Sequence, residues 1–231
     1  MNNTKIVVIG GSSGIGLAVA QVLLGQGAEV TVAARSAPSE RAVVPGRLHA
    51  AVADITREDD LEALFKEAGP VDHVVVTAAD ATGAYQRVKD FDVAAARPLI
   101  DAKLVGAILV AKYAQVTGSI TFTSGIAAYR PAAGGSVVAA VNGALESLSY
   151  ALAIELAPVR VNVVSPGWID TPIWDAIAGP AKQARLDAMA ARLPAGRVGR
   201  PDDVAQAVLA VIGNPFITGT VIHVDGGQRL V

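Results

Sequence analysis

The first chemistry legible in the chain lies in a glycine-rich run, Gly10-Gly11-Ser12-Ser13-Gly14-Ile15-Gly16, which joins a short apolar stretch to an amphipathic one. Glycines at this spacing permit a tight turn, let backbone approach a phosphate, and let the next helix pack closely on the strand before it. The start of that helix offers free N–H groups and a positive dipole end. The run reads GxxxGxG, and a plain glycine turn is the alternative; the strand–turn–helix–strand context favours a dinucleotide pyrophosphate. The next strand then bears on which dinucleotide. A ribose 2′-hydroxyl calls for an acid near that strand's end. Here the end reads Ala33-Ala34-Arg35-Ser36, while Glu29 stands at the opposite end. Arg35 and Ser36, with Ser13 nearby, suit a 2′-phosphate, which wants a guanidinium and hydroxyl donors and is repelled by a carboxylate. The expected cofactor is therefore NADP(H). The alternative for Arg35 is an ordinary solvated loop arginine.

The elements that would position these residues alternate. Continuous Val/Ile/Ala runs are expected as strands over 5–9, 29–33, 48–53, 73–77, 119–123, 160–164 and 221–224. They lack polar alternation, as strands buried on both faces do. Helical patterns are expected over 14–24, 58–68, 98–116, 135–156 and 202–212, with Thr56 and Asp59 resembling a capping box before the second. Such alternation implies a Rossmann-type, doubly wound parallel sheet in three α/β/α layers. One domain spanning 1–231 is expected, with a flexible helical flap over about 168–200 above the carboxyl ends of the strands, where such folds bind ligands.

Composition narrows the function. The 231 residues are 52% apolar, which supports a sizeable core. The net charge of -2, with no basic run, argues against a nucleic-acid partner. There is no cysteine, so disulfides, thiolate metal sites and cysteine nucleophiles are excluded together. His49, His73 and His223 lie in or beside strands and read as structural, so neither a metal site nor a His-based triad is expected. The N-terminal residues carry no secretion pattern, and a cytoplasmic location is expected. The apolar stretch 132–157 is interrupted by Asn142, Glu146 and Glu155, and reads as a buried or interface helix, not a membrane span.

Taken together, the glycine turn, Ala53-Asp54-Ile55, 119–124, Arg160-Val161-Asn162-Val163-Val164-Ser165-Pro166-Gly167, Arg197-Val198-Gly199-Arg200-Pro201, and Thr218-Gly219 followed by Val224-Asp225-Gly226-Gly227 resemble the short-chain dehydrogenase/reductase family. The resemblance covers nearly the whole chain and implies a seven-stranded parallel sheet. It implies cofactor contacts from Gly10, Ser12, Ser13, Gly14, Ile15, Gly16, Arg35, Ser36, Asp54, Ile55, Ala78, Ala79, Pro166, Gly167, Ile169 and Thr171. Asp54 would contact the adenine, or simply serve the turn before its helix. Ile169 and Thr171 would contact the nicotinamide carboxamide, or cap the flap. Asp225, Gly226 and Gly227 would form a structural turn.

The catalytic half departs from that family, which uses Asn, Ser and a YxxxK pair. In the register set by Gly143-Ala144-Leu145-Glu146-Ser147-Leu148, Val138 takes the tyrosine position and Asn142 the lysine position. Lys103 falls where the family has asparagine, so lysine and asparagine have exchanged helices; Ser124 remains. The chain is read as lacking YxxxK altogether. Lys103 is the candidate replacement, since a desolvated lysine can give or relay a proton; otherwise it is a lysine snorkelling from an interface helix. Asp80 would pair with it or cap a turn. Tyr129 would swing toward the site or pack its loop. Ser124, Lys103 and Asn142 are thus the candidate catalytic residues. The leading reading is an atypical NADPH-dependent oxidoreductase acting on a carbonyl or quinone-like small molecule. A silent NADP(H)-binding regulatory module and a non-redox lyase or isomerase are the alternatives. Trp168 and Trp174 suggest an apolar or aromatic ligand, or only a packed flap. The helices from 98 and from 135 are apolar around much of their circumference, and the resemblance implies a two-fold four-helix interface, so a homodimer or homotetramer is expected.

Overall fold

The computed structural model describes residues 1–36, 47–81 and 83–231. Seven strands, β1 Lys5–Ile9, β2 Glu29–Ala34, β3 Leu48–Val52, β4 Val71–Val76, β5 Val116–Thr123, β6 Arg160–Pro166 and β7 Val221–Val224, form one sheet in the order β3-β2-β1-β4-β5-β6-β7. Every pairing is parallel. The chain order reverses between β1 and β4, so their carboxyl ends open a crevice where such sheets bind ligands.

Helices cover both faces. Successive side chains of a strand point to opposite faces, and β1 divides its core accordingly. Val7 and Ile9 join Leu61, Phe65, Val110 and Leu145, from α2 Glu58–Ala68, α4 Gly106–Tyr113 and α5 Ser136–Glu155. Ile6 and Val8 join Val19, Leu23, Val204 and Val208, from α1 Gly14–Gly25 and α8 Pro201–Gly213. The expected three-layer fold is the one observed.

The helix expected over 98–116 is corrected. Its first part, α3 Val93–Ile100, starts five residues before Pro98, because the Asp92 carboxylate caps it by accepting from Ala94 N–H at 2.9 Å. A π turn, Asp101–Val105, then separates it from α4. The β-branched Val116 and Thr117 belong to β5, with Val116 paired to Val71. The capping box expected at Thr56 and Asp59 is also absent. Arg57 occupies the N-cap without a side-chain bond. Thr56 instead donates its N–H and hydroxyl to Asp54 Oδ1, at 2.9 and 2.8 Å.

Between β6 and α8, two short helices, α6 Ile173–Ala178 and α7 Lys182–Ala190, form the helical excursion expected there. Its stem is pinned by Asp170 N–H to Gly199 O and Gly199 N–H to Trp168 O, both 2.9 Å. Helix α5 is long and apolar enough, by length and composition, to cross a membrane. It packs on the sheet instead, and its buried face carries Asn142, Glu146 and Ser149.

Candidate active site

Two cavities meet at the carboxyl end of the sheet. The first, about 780 Å³, runs from the glycine turn past the ends of β1, β2 and β4. Gly10 holds φ +90, and a Cβ there would sit 2.6 Å from Ala78 N, so the turn lies against the segment after β4. Thr77 ties the same corner by donating its hydroxyl to Ile9 O and Gly10 O, each at 3.2 Å. Ser13 is the N-cap of α1 and makes no side-chain capping bond, which leaves the first-turn amides to accept an anion. Arg35 and Ser36 line the far end. The residues present thus fit a dinucleotide: a glycine cradle and helix N-terminus for the pyrophosphate, and a cation at the adenosine end. Of the residues expected to hold it, Gly167 and Ile169 line the second cavity, and all the others line the first.

Two of these residues have further duties. Arg35 Nη1 lies 3.1 Å from Asp80 Oδ2, so its guanidinium already has a carboxylate partner. Asp80, expected to meet Lys103 or a turn, is placed on Arg35. The Asp54 carboxylate is engaged by Thr56, as its turn reading required.

The second cavity, about 740 Å³, lies under the flap. Trp168 and Trp174 line it and pack on each other with ring centroids 4.3 Å apart; Trp174 Nε1 donates to Ile169 O at 2.8 Å. Val138 closes one wall in an apolar cluster with Ala84, Leu99 and Val141. The position where the resemblance puts a tyrosine is thus packed with hydrocarbon. After β7, the Asp225 carboxylate accepts from Gly227 N–H at 3.0 Å in the turn expected there, and Gln228 Oε1 accepts from Trp168 N–H at 3.0 Å, tying that turn to the flap.

Lys103 and Ser124 line both cavities, and Asn142 lines the second. Lys103 sits in the π turn, a helix defect frequently found at functional sites. Its ammonium donates to Thr123 O at 3.0 Å, Ser124 O at 2.7 Å and Asn142 Oδ1 at 2.8 Å, which uses all three of its protons. Asn142 is 3% exposed, and a Cβ on Gly125 would lie 3.1 Å from its Nδ2, so the residue after Ser124 must be small. Burial pushes the Lys103 ammonium down to about 8, against an opposing pull from the Glu146 carboxylate. The direct Lys103–Asn142 bond brings together the two side chains read as exchanged.

Glu146 is the residue that sequence reasoning passed over. One turn beyond Asn142, it accepts from the Ser124 hydroxyl at 2.6 Å and from the Tyr129 hydroxyl at 2.5 Å. The signal was there: an acid four residues from Asn142, in the middle of an apolar helix, lies on the same helical face. A second correction concerns the tyrosines. A Tyr-x-x-x-Lys spacing does occur, at Tyr85 and Lys89, but it lies before α3, with Lys89 in a short 3₁₀ turn and exposed. Tyr85 lines the second cavity and is half exposed. Among the described residues no acid or histidine cluster could hold a metal ion.

Comparison with known proteins gives this geometry a family. Residues 9–229 match the family described as enoyl-(acyl carrier protein) reductase. The chain is 37% identical over 251 residues to the short-chain dehydrogenase/reductase ATR9 of Stachybotrys chlorohalonatus, covering 98% of this chain and 97% of that protein. It belongs to the short-chain dehydrogenase/reductase family. A small-chain dehydrogenase solved in complex with NADPH superposes with a TM-score of 0.84 at 34% identity, over the full length of both chains. The MalC reductase/Diels-Alderase from Malbranchea aurantiaca superposes with a TM-score of 0.90 at 32% identity, covering 100% of this chain and 98% of that one.

Proposed function

We propose that this protein is an NADPH-dependent oxidoreductase that reduces the carbonyl of a carbonyl or quinone-like small molecule, acting as a single catalytic domain, in a homodimer or homotetramer, in the cytoplasm. The observation that carries the reading is the Lys103 ammonium, held by Thr123 O, Ser124 O and Asn142 Oδ1 at the junction of the two cavities. Reduced nicotinamide, when bound, supplies a hydride. The glycine turn and the amides of α1 hold the pyrophosphate, Arg35 and Ser36 favour the 2′-phosphate, and Ile169 and Thr171 border the nicotinamide end. Ser124 donates its hydroxyl to the substrate carbonyl. Lys103 holds a fixed positive charge beside the oxygen on which negative charge develops, and Asn142 fixes that charge in place. Activated carbonyls such as quinones need less proton assistance, which suits a site with Val138 in place of a tyrosine. NADPH binding in a relative of the same fold supports the choice of cofactor.

Val138 also favours a second reading, in which the protein binds NADP(H) as a regulatory module without turnover. Loss of absorbance of the reduced nicotinamide, followed across ketones, diketones and quinones, separates the two. Turnover with any of them supports the oxidoreductase; tight NADPH binding with no turnover supports the module.

A further inference from the structure

A buried carboxylate is costly unless it is paired and hydrogen-bonded. Glu146 is 6% exposed on a helix whose other buried residues are mostly apolar. Its two oxygens are divided between two hydroxyls, Ser124 at 2.6 Å and Tyr129 at 2.5 Å. Ser124 is 4% exposed and reaches the reaction end of the cleft; Tyr129 is 41% exposed. The three groups form a continuous chain of hydrogen bonds from the cleft toward solvent. His223 packs edge-on against the Tyr129 ring, with centroids 4.5 Å apart, and holds it on Glu146.

We propose that Tyr129, Glu146 and Ser124 form a proton relay that supplies the proton a reduced carbonyl needs, in place of a tyrosine at position 138. The proposal rests on the oxidoreductase reading above.

In the arrangement seen, both hydroxyls donate to the carboxylate, and Ser124 Oγ keeps lone pairs for a donor. This arrangement suits alcohol oxidation: the alcohol proton passes to Ser124 Oγ as the Ser124 proton passes to Glu146. Carbonyl reduction runs the same path backwards from protonated Glu146. The carbonyl carbon gains the hydride, and its oxygen takes the Ser124 proton. The Ser124 O–H bond breaks, and the Glu146 proton restores it. Glu146 then regains a proton at Oε2 from the Tyr129 hydroxyl, which takes one from water, and a half-turn of the carboxyl group brings that proton round to face Ser124. One hydride and one proton are added per carbonyl, and every side chain returns to its starting state. Burial and the neighbouring Glu146 hold the Tyr129 phenol above its usual range, so it passes a proton on without persisting as phenolate.

The test uses the full chain, NADPH and phenanthrenequinone. Glu146→Gln keeps the size of the side chain and cannot carry a proton, so it should cut kcat about a hundredfold, the lower part of the range for losing an acid, with KM for NADPH unchanged within about threefold. Glu146→Asp should recover part of the rate. Tyr129→Phe leaves Glu146 in place, so it should cost less, about fivefold, and should remove one contributing proton from the solvent-deuterium inventory. A readout independent of turnover is ultraviolet titration of the phenols. One tyrosine should ionise far above the usual range in the parent, be missing in Tyr129→Phe, and move down in Glu146→Gln. If the parent reduces the quinone and Glu146→Gln and Tyr129→Phe both match it, the relay is wrong while the oxidoreductase reading stands. A parent that binds NADPH yet reduces no carbonyl overturns both.

Discussion

Replacing Lys103 by Met keeps the length of the stem and removes its charge, which separates the lysine's electrostatic role from its packing. The ammonium lies 2.7 Å from Ser124 O and 2.8 Å from Asn142 Oδ1. Taking a separation of roughly 6 Å between that ammonium and the reacting oxygen, with an effective dielectric near 20, a unit charge is worth about 3 kcal/mol. That corresponds to roughly a hundredfold in rate. Part of this returns as solvent rearranges, so Lys103→Met should depress kcat by at least about tenfold, while the dissociation constant for NADPH changes less. The parent's pH profile offers a second check. Burial lowers the lysine to about 8, so its ammonium is present below that pH and lost above it. The rate should fall as pH rises through about 8, and Lys103→Met should remove that limb. The assay is steady-state NADPH oxidation with phenanthrenequinone, alongside fluorescence titration of NADPH. A Lys103→Met protein that turns over as fast as the parent would show that the ammonium only satisfies the oxygens around it.

Cofactor choice should follow Arg35: NADPH should bind at least about tenfold more tightly than NADH, roughly 1.4 kcal/mol, and Arg35→Ala should erase most of the gap; equal affinities in the parent would refute this. Because Asp80 pairs with that guanidinium at 3.1 Å in an exposed pair, worth about 0–1 kcal/mol, Asp80→Asn should raise NADPH affinity by up to about fivefold, and a loss of affinity would contradict the competition. His73, bonded to Ser119 at 2.9 Å, is lowered to about 4, first by burial and then by Arg160. Between pH 6.5 and about 4 the unfolded chain therefore binds a proton that the native state excludes, and denaturation midpoints should fall across that window; a flat profile in it would count against the buried, neutral ring. Exposed Val105 and Ile108, with Tyr150 and Ile154 on α5, leave apolar surface on the two helices expected to pair. Light scattering at micromolar concentration should give twice or four times 23.5 kDa, and a mass of 23.5 kDa would exclude the assembly.

The sheet was legible because burial on both faces leaves one signature, an uninterrupted apolar run. Residues 5–9 and 221–224 became strands with those bounds. The helix around Lys103 was less legible. Proline at a first helical position is a good start signal, but the Asp92 cap starts the helix five residues earlier, at Val93, and the π turn that presents Lys103 has no sequence rule of its own. The cofactor half of the cleft was legible because glycines there answer to backbone geometry, as the close approach of Gly10 to Ala78 shows. The polar contacts across the cleft were not, because they join pairs far apart in sequence. Ser124 and Glu146 are 22 residues apart, and Arg35 and Asp80 are 45 apart. Neither Glu146 nor Asp80 announces its partner.

On the oxidoreductase reading, an exchange of lysine and asparagine has a physical account. What a developing alkoxide needs is a positive charge at one place in space, and either helix flanking the cleft can deliver it. Lys103 extends from the π turn, and its Nζ stops 2.8 Å from Oδ1 of Asn142, where the resemblance puts a lysine. Asn142, a neutral amide, supplies one of the three oxygens that hold the ammonium. Position 138 is then free of the same constraint, because the Ser124 hydroxyl is turned to Glu146, one helical turn beyond Asn142. Position 138 is thereby released to hydrocarbon, and Val138 is 7% exposed in the cluster that walls the second cavity. Restoring tyrosine at 138 alone would therefore insert a ring into a packed wall, at a cost of about 1–3 kcal/mol for overpacking, while Ser124 stayed committed to Glu146. Its activity should stay at or below that of the parent, and only the combined change, with Glu146 made apolar as well, should move the proton path to position 138.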